Sequence, residues 1–345
     1  MAAAGCCRRV EPAHVSSVGA VGSLLEELTA RLDADCIQTD PEVIAAYSQD
    51  RAIFERAGTA DVLVMPRNTD EVVAALQAAA AAGAPVVTRG AGTGLCGGAN
   101  ASDGCVILSL HRMNRVLHID VANRMARVQP GVLNGDLKRA VAEHGLFYPP
   151  DPASYEISSI GGNVATNAGG LCCVRYGVTR DYVMGLEVVL ANGDVIRTGR
   201  TTIKSTVGLD LTGVFVGSEG LLGVITEVTV KLIPLPAPPC TAVAYFPDLP
   251  SAGDAILQIF REGFEPSLME IVDQACLRQV NAVFGMGLDT DAACLLLIQS
   301  SGDRAEWAIE RMAALCVQHG EIGRAHRLNS SHLVISYAVF CLKKK

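Results

Sequence analysis

A chain of 345 residues, 50% hydrophobic and 19% charged, is long enough for two domains with buried cores and too apolar for extended disorder. A net charge of −8 and a pI near 5.4 argue against a nucleic-acid surface. The histidines and cysteines form no H-x-H, H-E-x-x-H or C-x-x-C pattern, so no metal site is read. With no apolar run of membrane-span length and no signal-peptide core at the N-terminus, the expectation is a cytoplasmic protein with reduced cysteines and no transmembrane segment.

The first 56 residues read as a helical segment, with helices over 24–32 and 41–47, the second capped by Asp40 ahead of Pro41. A strand at 62–65 precedes a helix capped by Thr69 and ended by Gly83, and a strand at 85–88 runs straight into a glycine-rich loop. Strands follow at 106–110, 116–119 and 126–129, then a helix over 135–144. Two more strands flank Asn192-Gly193, a strong hairpin signal. Along 224–232, Val224, Thr226, Val228, Val230 and Leu232 alternate to one face, leaving Ile225 as the apolar residue opposite. Prolines 234, 236, 238 and 239 mark a boundary. Beyond it the pattern predicts strands at 241–246 and 293–299, and helices at 253–261, 271–283 and 304–319. That is about half of a ferredoxin-like layer, short of strands. The stretch 324–345 has no partner pattern, ends in three lysines and resembles a translated read-through, so it is expected to be a non-native tail.

Chemistry concentrates in three glycine-rich segments. Gly92-x-Gly94-x-x-Gly97 matches a dinucleotide fingerprint. A Rossmann site needs a helix next, and residues 98–104 are poor helix material, so that reading is rejected. Glycines 90, 92, 94, 97 and 98 still permit an anion-binding nest of backbone N–H groups, to which Arg89 and Thr93 add a charge and a hydroxyl. One such loop alone is equally a ligand-free turn. SSIGGNVATNAGG at 158–170 and GSEGLLG at 217–223 shift the balance toward a large polar ligand touched mostly by main chain.

RGAGTGLCGGA, YPPDPAS, SIGGNVATNAGG and GSEGLLGVITEVTVKLIP occur in that order. In this the chain resembles the FAD-linked oxidases of the vanillyl-alcohol-oxidase/PCMH-type superfamily, nearest the group of glycolate-oxidase flavin subunits and D-lactate dehydrogenases. The likeness is close over 60–236 and weaker to about 320. It implies an α+β fold: a PCMH-type two-subdomain FAD-binding domain at 57–236, followed by an incomplete ferredoxin-like cap at 237–323.

The resemblance also assigns roles. Arg89, Gly90, Ala91, Gly92, Thr93, Gly94, Gly97 and Gly98 wrap the FAD pyrophosphate, and Pro150 and Asp151 sit near the flavin. Ser159, Gly161, Gly162, Asn167 and Gly170 line the cofactor from the second half of the domain. Glu219, Gly220, Gly223 and Ile225 complete the site, Ile225 through its backbone. Some members bond the flavin to a histidine in the first loop; Thr93 stands there, which implies noncovalent FAD. The implied activity is oxidation of a small 2-hydroxy acid to the 2-oxo acid, with an iron-sulfur partner subunit or a quinone as acceptor. The family's histidine-rich C-terminal segment has no counterpart, so no catalytic or metal residue is assigned. Two alternatives remain: a redox-neutral transferase of the alkylglycerone-phosphate synthase type, and a catalytically inactive FAD-binding fragment.

Overall fold

The computed structural model describes residues 17–322 and 326–328. The first part holds α1 (Ser17–Arg31), β1 (Ile37–Gln38), α2 (Pro41–Ser48), β2 (Val62–Val64), α3 (Thr69–Ala82), β3 (Val86–Arg89) and β4 (Val106–Ser109). They form a sheet in the order β1-β2-β4-β3, with β2, β4 and β3 parallel. Alternation along the strands sends Val62, Val64, Val106 and Leu108 against Leu24, Leu28, Val72 and Ala75 of α1 and α3. Leu63 and Ile107 point the other way, to Ile44 of α2. The cap of α3 is Asn68, whose side chain accepts from the Glu71 N–H at 3.0 Å, and not the expected Thr69. The Thr69 hydroxyl instead donates to Glu187 at 2.7 Å, a tertiary partner that local pattern does not reveal.

The second part carries β5 (Val116–Asp120), β6 (Met125–Val128), α4 (Asn134–Ala142), β7 (Leu146–Phe147), α5 (Ile160–Ala165), α6 (Cys173–Tyr176), β8 (Val183–Val189), β9 (Val195–Gly199), α7 (Leu211–Phe215), β10 (Val224–Lys231) and β11 (Ile233–Pro234). Its antiparallel sheet runs β5-β6-β10-β8-β9, with the Asn192-Gly193 hairpin joining β8 and β9 as expected. The alternation expected along β10 fails. A register shift between Ile225 and Glu227 inserts an extra residue. Val224 therefore packs into the core beneath α1 and α3, whereas Ile225 joins Val228, Val230 and Leu232 in the other core. As the central strand, β10 is buried on both faces.

The third part contains β12 (Cys240–Phe246), α8 (Leu249–Arg261), β13 (Leu268–Asp273), α9 (Gln274–Phe284), β14 (Cys294–Ser300), α10 (Ala305–Gln318) and β15 (His326–Leu328). These strands form an antiparallel sheet, β13-β14-β12-β15. The helix expected from 271 begins only at Gln274, because Asp273 caps it through the Cys276 N–H at 2.8 Å. The preceding residues pair with β14 as a strand that the sequence reading lacked. Apart from β15, the stretch expected to be a non-native tail lies outside the described residues. Helices α8 and α10 cover one face of the sheet. On the other face Leu171 and Cys172 from the second part join Leu277, Val280 and Leu295, so the loop before α6 leaves the second part and enters the cap's core. Among the described residues no helix is long and apolar enough to cross a membrane.

Candidate functional site: a cleft lined by three glycine-rich segments

The three segments converge on one cleft of about 490 Å³. Residues 90–105 contain no helix, in line with rejection of a Rossmann site. The loop is fastened to the stretch after α2: the Arg51 N–H donates to Gly94 O at 3.0 Å and the Asp50 N–H to Asn100 Oδ1 at 2.7 Å. The second segment is not a loop throughout, since residues 160–165 form α5. Its cap, Ser159, links two segments: Oγ accepts from the Ala91 N–H at 3.2 Å and the Gly162 N–H at 3.3 Å. The third is stapled to α5 by the Gly217 and Glu219 N–H groups, which donate to Val164 O and Ala165 O at 2.9 Å each.

Close approach explains two of the glycines. A Cβ on Gly90 would lie 2.5 Å from Ser159 Oγ, and one on Gly223, at φ +157°, would lie 2.7 Å from Val188 Cγ1. Two non-glycine residues at the cleft, Asn167 at φ +47° and Glu219 at φ +54°, hold left-handed backbone, a conformation that persists only where the surroundings enforce it.

Of the expected site residues, Gly90, Ala91, Gly92, Thr93, Gly94, Gly98, Ser159, Gly161, Gly162, Asn167, Glu219, Gly220, Gly223 and Ile225 line the cleft. Arg89, Gly97, Pro150, Asp151 and Gly170 do not. Arg89 is buried beneath the loop, with its guanidinium packed under Gly92 and donating to Gln49 O at 3.0 Å and Ala99 O at 3.4 Å. Burial lowers its pKa, opposed by the Asp50 carboxylate. It braces the loop and places positive charge behind it. Asp151 accepts from the Cys172 N–H at 3.1 Å, and burial raises its pKa. Arg180, following α6, turns from the cleft to donate to Gly213 O and Val216 O.

Sequence reading missed Asp50, Thr88, Leu110, Pro130, Pro152 and Asn163 in the lining. Of these, Asn163 and Pro152 lie inside quoted motifs, as do the further lining residues Leu95, Cys96, Ala99, Ser154, Ala165, Thr166, Ala168 and Gly169. Asp50, Thr88, Leu110 and Pro130 arrive from separate elements through the fold alone. The donor set suits FAD: main-chain N–H groups backed by a buried guanidinium fit a pyrophosphate, and Leu110, Pro130 and Ile225 supply apolar wall for flat rings.

The comparisons agree. Residues 60–199 match the FAD binding domain and residues 235–331 the C-terminal domain of FAD linked oxidases. The chain belongs to the FAD-linked oxidases of the PCMH-type fold, and its cofactor is FAD. Its sequence is 46% identical over 258 residues to glycolate oxidase subunit GlcD of Bacillus subtilis, covering 74% of this chain and 55% of that protein. It is 33% identical over 290 residues to a D-lactate dehydrogenase of Anaerostipes hadrus, covering 81% and 61%. The chain thus spans just over half the length of these relatives. Solved structures of alkyldihydroxyacetonephosphate synthase and of p-cresol methylhydroxylase with substrate bound each superpose with a TM-score of 0.76 at 20% identity. Each superposition covers 92% of this chain, and 63% and 67% of theirs.

Proposed function

We propose that this chain holds FAD noncovalently in the cleft as the flavin-binding part of an enzyme that oxidises a small 2-hydroxy acid to the 2-oxo acid. The observation that carries the reading is the convergence of three segments, fastened by Ser159 and by the Glu219 backbone, on a cleft lined by many glycines. The substrate class is supported by relatives whose names specify glycolate and D-lactate. Bound FAD supplies a two-electron acceptor for the hydride leaving the substrate's α-carbon. This chain's residues bind and orient it: the loop over 90–98 offers N–H groups, Arg89 backs them with charge, and α5 fixes the opposite wall. Electrons then pass to an iron-sulfur partner subunit or a quinone. The transferase alternative has the fold likeness to alkyldihydroxyacetonephosphate synthase behind it.

Three measurements test the reading. FAD titrated into the purified chain should lose its fluorescence on binding, and a flat titration would refute the cofactor assignment. Acid precipitation should release all the yellow colour to the supernatant, because Thr93 offers no imidazole; colour retained in the pellet would refute noncovalent binding. Anaerobic glycolate or D-lactate should bleach the bound flavin. A flavin that is photoreducible but untouched by either acid would count against the 2-hydroxy-acid reading for this chain and leave the transferase and the inactive FAD-binding fragment.

A further inference from the structure

Behind the cleft wall lies a buried pair of amides that the FAD reading leaves unused. Asn134, the first residue of α4, is fully buried, and Asn163 on α5 lines the cleft at 4% exposure. The carbonyl oxygen of Pro150 can only accept, so the Asn134 group 3.2 Å from it must be the nitrogen, Nδ2. The same NH2 donates to Asn163 Oδ1 at 3.0 Å, and the Ser158 hydroxyl donates to that oxygen at 3.4 Å. The oxygen of Asn163 is therefore turned inward toward two donors. With its oxygen so engaged, Asn163, a lining residue of the cleft, keeps an Nδ2 that donates to no protein acceptor among the described residues.

A second observation shows that this pose is enforced. Asn134 Oδ1 is buried without a hydrogen-bond partner, which is unfavourable for an acceptor. Rotating the amide would set an oxygen against the Pro150 and Asn163 oxygens, which is worse. Backbone bonds lock the two elements together: the Asn134 N–H donates to Ser158 O at 2.9 Å and the Ile160 N–H to Val132 O at 2.8 Å.

We propose that Asn134 is a positioning residue that sets the Asn163 amide so that Asn163 donates an N–H to an acceptor oxygen or nitrogen of the bound FAD. The proposal rests on the FAD reading above. The test is a fluorescence titration with FAD of the wild-type chain, N163A, N134D and the N134D/N163A double variant, with melting temperatures as a folding control. N163A should bind about 10-fold more weakly, the worth of one hydrogen bond to the ligand. In N134D the new carboxylate draws the Asn163 NH2 inward and leaves its oxygen facing the ligand, so the loss should be at least as large. The double variant should lose no more than N163A alone, because both changes act through one amide. Additive losses, or N134D with wild-type affinity, would overturn the proposal. Should N134D unfold, N163D presents an oxygen to the cleft with Asn134 intact; it should bind as weakly, and wild-type affinity there would also overturn it. A wild-type chain that takes up no FAD removes the cofactor reading itself. Wild-type binding with unchanged variants removes only the orientation of the amide.

Discussion

Gly170→Ala is expected to weaken FAD binding by on the order of 100-fold, as overpacking against main chain that cannot yield cheaply. A methyl group there would overlap the carbonyl oxygen and carboxylate of Asp151. Asp151 also holds the Cys172 N–H; Pro152 beside it, and Ala168 and Gly169 just before Gly170, are cleft wall. Relief of the overlap must therefore move the wall, although Gly170 does not line the cleft. Gly253→Ala is the control: it lies on α8 with nothing within 4 Å of a new Cβ, so its stability should be equal or slightly higher. The two variants are compared by FAD titration and thermal melting. Wild-type FAD affinity in Gly170→Ala would show that the wall adjusts freely.

The second large effect concerns Lys138 on α4. Its ammonium donates to Tyr148 O at 2.6 Å and Pro149 O at 3.3 Å and lies 4.9 Å from the ring centre of Phe147. The rings of Tyr148 and Tyr155 are each 5.8 Å away. Burial pulls its pKa from 10.5 down to about 8, against the opposing carboxylates of Asp151 and Glu156. Below pH 8 both folded and unfolded chains carry the proton, and the folded state bears the full cost of the buried charge. Between pH 8 and 10.5 only the unfolded chain remains protonated, so this residue's penalty fades as pH rises. Relative to Lys138→Met, the wild-type unfolding free energy should therefore rise by on the order of 3 kcal/mol from pH 7 to pH 10.5. Urea unfolding of both proteins across that range measures it. A constant difference would mean that the lysine titrates as if exposed.

Much of the FAD-binding part was legible because its signals are local. Positive-φ glycines, the Asn192-Gly193 turn and the absence of helix-forming residues after Gly98 each act within a few residues. What escaped depends on partners distant in sequence. The end of the strand at Leu268–Asp273, from residue 271, looked helical because its apolar residues run on into α9, and only pairing with β14 makes it a strand. Ile225 changed face because a bulge, invisible in the residue pattern, shifted the register. Arg89 seemed an anion ligand from its place beside the loop, but the carbonyls of Gln49 and Ala99 claim its guanidinium. Asn163 stood inside a quoted motif, yet its orientation depends on Asn134, twenty-nine positions earlier.

A cleft lined by so many glycines has a consequence for descent. Point mutations change side chains, whereas N–H groups of the peptide chain survive almost any of them, provided the small residues at the tightest approaches are kept. Lineages can then diverge widely at the rim while inheriting the same means of gripping the cofactor. The fold is one that this chain shares at 20% identity with proteins of unrelated names.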